Sequence, residues 1–324
     1  MRVLPLLKLV RLSALPSALA DVFGGMALAA ALGPVFGVDH IGLDRLPWLL
    51  LATTGIYLGG MASNDVLHAR KDGLLGKKRP IITGELTHKA ANATMASLYL
   101  IGLVAAILAG CAVPAALLIA LTLLYNWLAR GRIVGVRVTQ PLGLSVAAVA
   151  VIALCRALHV LLPLFAYLPA QFPPMRLLDT IAPLFAASVF VYFALVTTVS
   201  LFEDTGGGRK ALHAVQILLM PVPLALPIVV LMRPGASPSF LLGVIAPLLI
   251  AAALLLGLWK ALDVARESPT PPNLGKAVGT GIRGECLLMA AFALVLVPHQ
   301  PWWGLCALAM YPLGRFLTRW ISPT

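Results

Sequence analysis

Long apolar runs separated by short polar stretches set the plan of the chain, with candidate runs at 12–38, 46–67, 89–110, 112–129, 140–166, 180–202, 211–232, 239–261, 279–298 and 302–320. Most are near the ~20 residues that a helix needs to cross hydrocarbon. A helix also satisfies its own backbone hydrogen bonds, which lipid cannot do for it. The pattern predicts an all-α, polytopic transmembrane bundle, read as a single integral membrane domain over 1–324. Nine or ten transmembrane helices are predicted, the last run being the one in question. The first run is longer than a signal-peptide core and lacks a clear small-residue cleavage site, so it reads as a retained helix.

Composition fixes the class. The chain is 60% hydrophobic and 11% charged with a mean hydropathy of +0.96, far from a soluble domain. Its 28 Gly and 25 Pro suit close helix packing and kinks. Cys111, Cys155, Cys286 and Cys306 are scattered through apolar runs without C-x-x-C spacing and read as buried small side chains. A net charge of +12 raises nucleic acid as a partner, but no basic patch is interleaved with exposed aromatics, so nucleic acid is excluded. Topology explains the charge. With a cytoplasmic N-terminus and ten crossings, all of the 24 basic residues except Arg45, Arg156, Arg176 and Arg233 fall on the inner side.

The chemistry concentrates in Asn64 to Gly84, NDVLHARKDGLLGKKRPIITG. If the second helix continues through it, Asp65, His68 and Asp72 stand at i, i+3 and i+7 on one face. Two carboxylates followed by Lys77, Lys78 and Arg79 offer oxygen ligands for a hard cation beside partners for phosphate, which suggests a Mg²⁺-bridged diphosphate. Solvated charges at a helix end are the plain alternative.

This stretch resembles the first aspartate-rich motif of the UbiA superfamily of membrane prenyltransferases, N-D-x-x-D-x-x-x-D followed by Arg-Pro and Gly. Asn64, Asp65, Asp72, Arg79-Pro80 and Gly84 match, while His68 replaces the middle aspartate. His68 is either a substitute ligand or an ordinary interfacial histidine. The segment Ser200–Ala211, SLFEDTGGGRKA, stands where the family has its second motif, reduced here to Glu203 and Asp204 before three glycines. Gly206, Gly207 and Gly208 could let backbone N–H groups approach an anion, with Arg209 and Lys210 behind them. Tyr125-Asn126 and Arg130 resemble a further family motif, with Ala129 at its lysine position. The Leu154-Cys155-Arg156-Ala157 stretch resembles the EboC-like subgroup of bacterial secondary-metabolite clusters.

The resemblance implies a Mg²⁺-dependent enzyme of the inner cell membrane, surrounded by lipid, acting on a prenyl diphosphate and an unidentified acceptor. Its motif loops would be about 64–88 and 203–210. Asp65, Asp72 and Glu203 would be catalytic and metal-binding, joined as ligands by His68 and Asp204. Asn64, Arg79, Tyr125, Asn126, Arg130, Arg156, Arg209 and Lys210 would bind substrate. Asp21 and Arg156 lie inside predicted helices, where a charge is costly. They either pair with each other or line a wet cavity, or serve as an acceptor-side group and a diphosphate clamp. Tyr99, Tyr125, Phe190, Tyr192 and Phe193 would shield a carbocation or simply pack. A non-enzymatic reading, a UbiA-like protein that binds or moves an isoprenoid-like metabolite, uses the same residues. No internal repeat supports a transporter.

Overall fold

A computed structural model describes residues 3–38, 41–130, 132–134, 137–139, 141–169, 173–203, 206, 208–232 and 240–321. The order is α1 (Val3–Leu9), α2 (Leu15–Phe36), α3 (Leu46–Leu74), α4 (His88–Ala109), α5 (Ala112–Leu128), a hairpin of β1 (Arg132–Val134) and β2 (Arg137–Thr139), then α6 (Leu142–Tyr167). There follow α7 (Ala182–Ser200), α8 (Arg209–Leu219), α9 (Val222–Leu231), α10 (Ala246–Glu267), α11 (Pro271–Leu296) and α12 (Trp302–Trp320). Among the described residues, eight helical segments are long and apolar enough to cross a membrane, and α5 is a shorter apolar helix.

Helical segments thus stand at all the expected positions, with shifted ends. The second runs on to Leu74, through the acidic face, and α11 begins at Pro271 rather than near 279. The run at 211–232 is divided, because α8 stops at Leu219 and α9 starts behind Pro221. Proline lacks the N–H and crowds the preceding turn, so the ladder breaks there.

The bundle is apolar outside and locally polar inside. Leu100, Ile107, Val113 and Leu256 are exposed, as lipid-facing side chains are, whereas Asp21, Arg156, His159 and Glu285 are buried. Small residues bring helices close enough to place the polar ones. A Cβ on Gly55 of α3 would lie 2.6 Å from the Leu98 carbonyl oxygen of α4. One turn further, a Cβ on Gly59 would meet the Tyr99 ring at 2.9 Å. The close approach sets Tyr99 beside Ser63, at the threshold of the acidic stretch. α4 begins at a Thr87 cap, whose hydroxyl accepts from the Ala90 N–H at 3.2 Å, and this closes the loop after α3.

Candidate functional site

Because α3 stays helical to Leu74, its polar residues divide into two stripes. Asn64, His68 and Lys71 face α5: Asn64 Nδ2 donates to Asn126 Oδ1 at 3.1 Å, His68 Nε2 to the Asn126 carbonyl at 2.8 Å, and Lys71 Nζ to the Ala129 carbonyl at 3.3 Å. Asn126 Nδ2 donates to Ser63 Oγ at 2.6 Å, which lies 3.2 Å from the Tyr99 hydroxyl. This network seats the end of α5 against α3. It gives His68 a structural partner, since a carbonyl accepts only and Nε2 must carry the proton.

Asp65 and Asp72, both buried, form the second stripe. Arg11 Nη2 donates to Asp65 Oδ1 at 3.0 Å and reaches Asn64 Oδ1 at 3.4 Å. Arg79 Nη1 lies 3.7 Å from Asp65 Oδ1 and its Nε 3.6 Å from Asp72 Oδ2, with Lys77 Nζ 3.7 Å from Asp72 Oδ1. Two carboxylates are therefore ringed by three cations, at distances long enough for Arg79 to make no hydrogen bond through Nε or Nη1.

Arg11 was counted in the sequence only as a topology charge. It sits in the turn between α1 and the 3₁₀ turn Leu12–Ala14, with φ 47° and ψ 52°, a left-handed conformation costing a non-glycine residue on the order of 1 kcal/mol. No sequence signal marks that conformation. Its effect is to turn the guanidinium toward Asp65, whose charge raises the Arg11 pKa against the opposing effect of burial. For Arg79 the balance is reversed: burial, then repulsion by Arg11, lowers its pKa, with Asp65, Asp72 and Glu203 acting the other way.

The last of these carboxylates belongs to the second acidic stretch. Glu203 follows α7 in a turn, within electrostatic reach of Arg79 and Tyr125, and its Oε1 lies 3.0 Å from where a Cβ on Gly275 would be. Asp204 and Gly207 fall outside the described residues. The two described glycines make the turn: Gly206 has φ 70° and gives its N–H to the Phe202 carbonyl at 2.8 Å, and Gly208 has φ 78° with the Phe202 ring against it. Arg130 is exposed at the end of α5 and forms no ion pair among the described residues. Arg209 is exposed and donates to the Glu267 carbonyl at 3.1 Å, and Lys210 is exposed beside it.

Arg156 is not brought to this site. It lies in the bundle interior, where Nη1 is 3.3 Å from Asp21 Oδ2, and Nη2 donates to Ser17 Oγ at 3.1 Å and pairs with Glu285 Oε2. Its guanidinium covers the Phe193 ring at 4.4 Å and the Tyr57 ring at 5.4 Å. His159 Nδ1 meets Asp21 Oδ2 at 2.7 Å and His159 Nε2 meets Thr53 Oγ1 at 3.0 Å. The expected pairing of Asp21 with Arg156 is present, and Glu285 and His159 complete it. Both were missed, although Glu285 carried the signal that singled out Asp21, a carboxylate inside an apolar run. Of the candidate aromatics, Phe193 packs under Arg156, Tyr192 donates to the Gly281 carbonyl at 2.7 Å, and Phe190 packs against the core.

The residues around Asp65 suit magnesium in a particular way. Among the described residues no group of three or more His, Cys, Asp or Glu is arranged to hold a metal. Asp65 Oδ2, however, is buried and takes no hydrogen bond among the described residues. Magnesium favours one or two carboxylates completed by water and phosphate oxygens over an all-protein cage. Asp65 and Asp72 meet that requirement with His68 turned away to α5.

No family model matches the sequence, and no curated protein sequence does. Among solved structures, digeranylgeranylglyceryl phosphate synthase superposes with a TM-score of 0.56 at 14% identity, covering 91% of this chain and 98% of that one. A UbiA homolog from Archaeoglobus fulgidus, solved bound to GPP and Mg²⁺, gives 0.53 at 15% identity, covering 95% and 99%. At these identities the likeness is one of fold, over nearly the whole length of both chains. The chain is an all-α transmembrane bundle with the fold of the UbiA-type membrane prenyltransferases.

Proposed function

We propose that the protein is a Mg²⁺-dependent intramembrane prenyltransferase, akin to the EboC-like subgroup, that moves an isoprenyl group from a prenyl diphosphate to a small aromatic or lipophilic acceptor. The observation that carries this reading is the buried pair Asp65 and Asp72, flanked by Arg11 and Arg79 at 3.0–3.7 Å, with Asp65 Oδ2 left unbonded. The GPP and Mg²⁺ bound to the Archaeoglobus fulgidus homolog support it by analogy of fold.

Asp65 and Asp72 would hold the metal, with Glu203 closing the site from the second acidic stretch. Bound Mg²⁺ would neutralise charge on the diphosphate and so make it a better leaving group. Arg79 and Arg11 would take diphosphate oxygens through charge-assisted hydrogen bonds and keep them as the negative charge grows. When the allylic C–O bond breaks, its electron pair leaves with the diphosphate. The apolar interior would exclude water from the cation until the acceptor attacks C1 and gives up a proton.

One observation favours a second reading, in which the protein binds or moves an isoprenoid-like metabolite: His68, at the middle motif position, is committed to the Asn126 carbonyl. A single experiment separates the two. Purified protein is mixed with Mg²⁺, a set of prenyl diphosphates and a membrane extract, and mass spectrometry follows released diphosphate and prenylated product. Turnover supports the enzyme. Binding of a labelled isoprenoid with no diphosphate consumed from any donor would leave the second reading standing. The cytoplasmic placement of the N-terminus and of the loop at 75–87 is part of the same proposal, and labelling of a cysteine at Lys78 from the periplasmic side would contradict it.

A further inference from the structure

Between α11 and α12 lies an open cleft of about 230 Å³ lined by Arg283, Arg315, Thr318 and Arg319. Three arginines line it, and none forms an ion pair or a side-chain hydrogen bond among the described residues, although Arg283 and Arg315 are close enough to repel each other. The Arg283 stem packs against Gly314, where a Cβ would stand 3.8 Å from Arg283 Cγ. Thr318 spends its hydroxyl proton on the Gly314 carbonyl at 2.7 Å, leaving its oxygen as an acceptor on the cleft wall.

A basic excess on one side of the membrane accounts for arginines on these helices. It does not account for three of them lining one cleft, where the repulsion between Arg283 and Arg315 is met by no described carboxylate. An anion of matching geometry relieves that repulsion, and guanidiniums bind phosphate oxygens in a bidentate fork. The rest of the α12 surface tells which phosphate. Leu313, Phe316 and Trp320 are exposed, with the Phe316 and Trp320 ring centroids 6.1 Å apart, the apolar and aromatic surface that helices present at the membrane interface. A soluble phosphate has nothing to place on it, whereas a phospholipid has acyl chains.

We propose that this cleft is a binding site for the phosphate of an anionic phospholipid, with the acyl chains lying along α12 over Leu313 and Phe316. None of the residues lining the cleft belongs to the acidic face, and the proposal does not depend on the reaction assigned there.

The test is native mass spectrometry of the whole protein released from mixed micelles of equal phosphatidylglycerol and phosphatidylcholine. The parent should retain phosphatidylglycerol in preference. R315Q/R319Q changes two exposed side chains and should keep the fold, which circular dichroism checks, while the preference falls by about fivefold for each guanidinium removed. K260Q/K276Q removes two exposed charges that the topology expects on the same side of the membrane and should retain the parental preference. Inorganic phosphate and inorganic diphosphate at millimolar concentration should not displace the lipid. Equal retention of both lipids by the parent, equal losses in the two double variants, or displacement by either inorganic anion would each overturn the proposal, the last by showing a site for soluble anions.

Discussion

Arg11 Nη2 stands 3.0 Å from Asp65 Oδ1 across 54 residues of sequence, and the pair joins the N-terminal turn to the most buried carboxylate of the acidic face. Arg11 and a metal would compete for the same carboxylate, while Arg11 and the metal would cooperate on a diphosphate. R11Q should therefore raise Mg²⁺ affinity in the absence of diphosphate and lower diphosphate affinity by about tenfold, the worth of one charge-assisted hydrogen bond. Calorimetric titration of each ligand reads both. A parallel fall of the two affinities would mean that Arg11 merely holds the turn in place.

The hydrogen bond from His68 to the Asn126 carbonyl changes what a substitution at this position should do. H68D matches the family motif, but it removes the donor and points a buried acceptor at another acceptor, a cost of about 1–3 kcal/mol. H68Q keeps an N–H of similar reach and should unfold near the parental temperature. Thermal unfolding of both variants, with Mg²⁺ titration, decides. Should H68D be as stable as the parent and bind Mg²⁺ more tightly, His68 is a degraded ligand after all.

Gly275 offers a way to disturb Glu203 without altering a charge, because an added Cβ would come 3.0 Å from Glu203 Oε1. The carboxylate is the movable end of a flexible side chain, so G275A should cost little stability. If the two acidic stretches act as one site, E203A should abolish prenyl diphosphate turnover and G275A should reduce it severalfold at nearly unchanged melting temperature. Full Mg²⁺-dependent activity in E203A would remove the second stretch from the site.

In the inner cluster, Arg156 balances two buried carboxylates, Asp21 and Glu285. R156M leaves Glu285 uncompensated and Asp21 with His159 alone, and should cost about 3–5 kcal/mol or prevent folding. E285Q leaves Arg156 with Asp21 and should cost much less. Melting temperatures in detergent give the order, and E285Q proving the more damaging would show that the Asp21 contact does not neutralise Arg156.

Burial lowers the pKa of Arg79 below the ordinary arginine value, yet leaves an arginine charged through the working range. A lysine starts from ~10.4 and the same burial would lower it further. The charged form exists below the pKa, so R79K should bind diphosphate at neutral pH and lose affinity as pH rises through the alkaline range, while the parent stays flat. Parallel pH profiles would argue that Arg79 does not contact the ligand.

By itself the sequence determined the class, the helix positions and the acidic face. These follow from local quantities: an apolar run must be helical in lipid, and the Asn64-to-Gly84 pattern sits within one helix and the loop after it. Spacing also set Asp65, His68 and Asp72 within one broad face. It could not tell that Asn126 would draw His68 to α5 while Arg11 and Arg79 gathered the two aspartates, because a helical wheel gives direction and not the neighbour. The same limit hid Arg11, whose role depends on a left-handed turn, and Glu285, which matters through its pairing with Arg156 across 129 residues. Isolated charges advertise that a partner must exist, since a lone buried charge is too costly to leave unpaired. Which partner it is depends on which helices pack together, and that was decided by the tertiary structure alone.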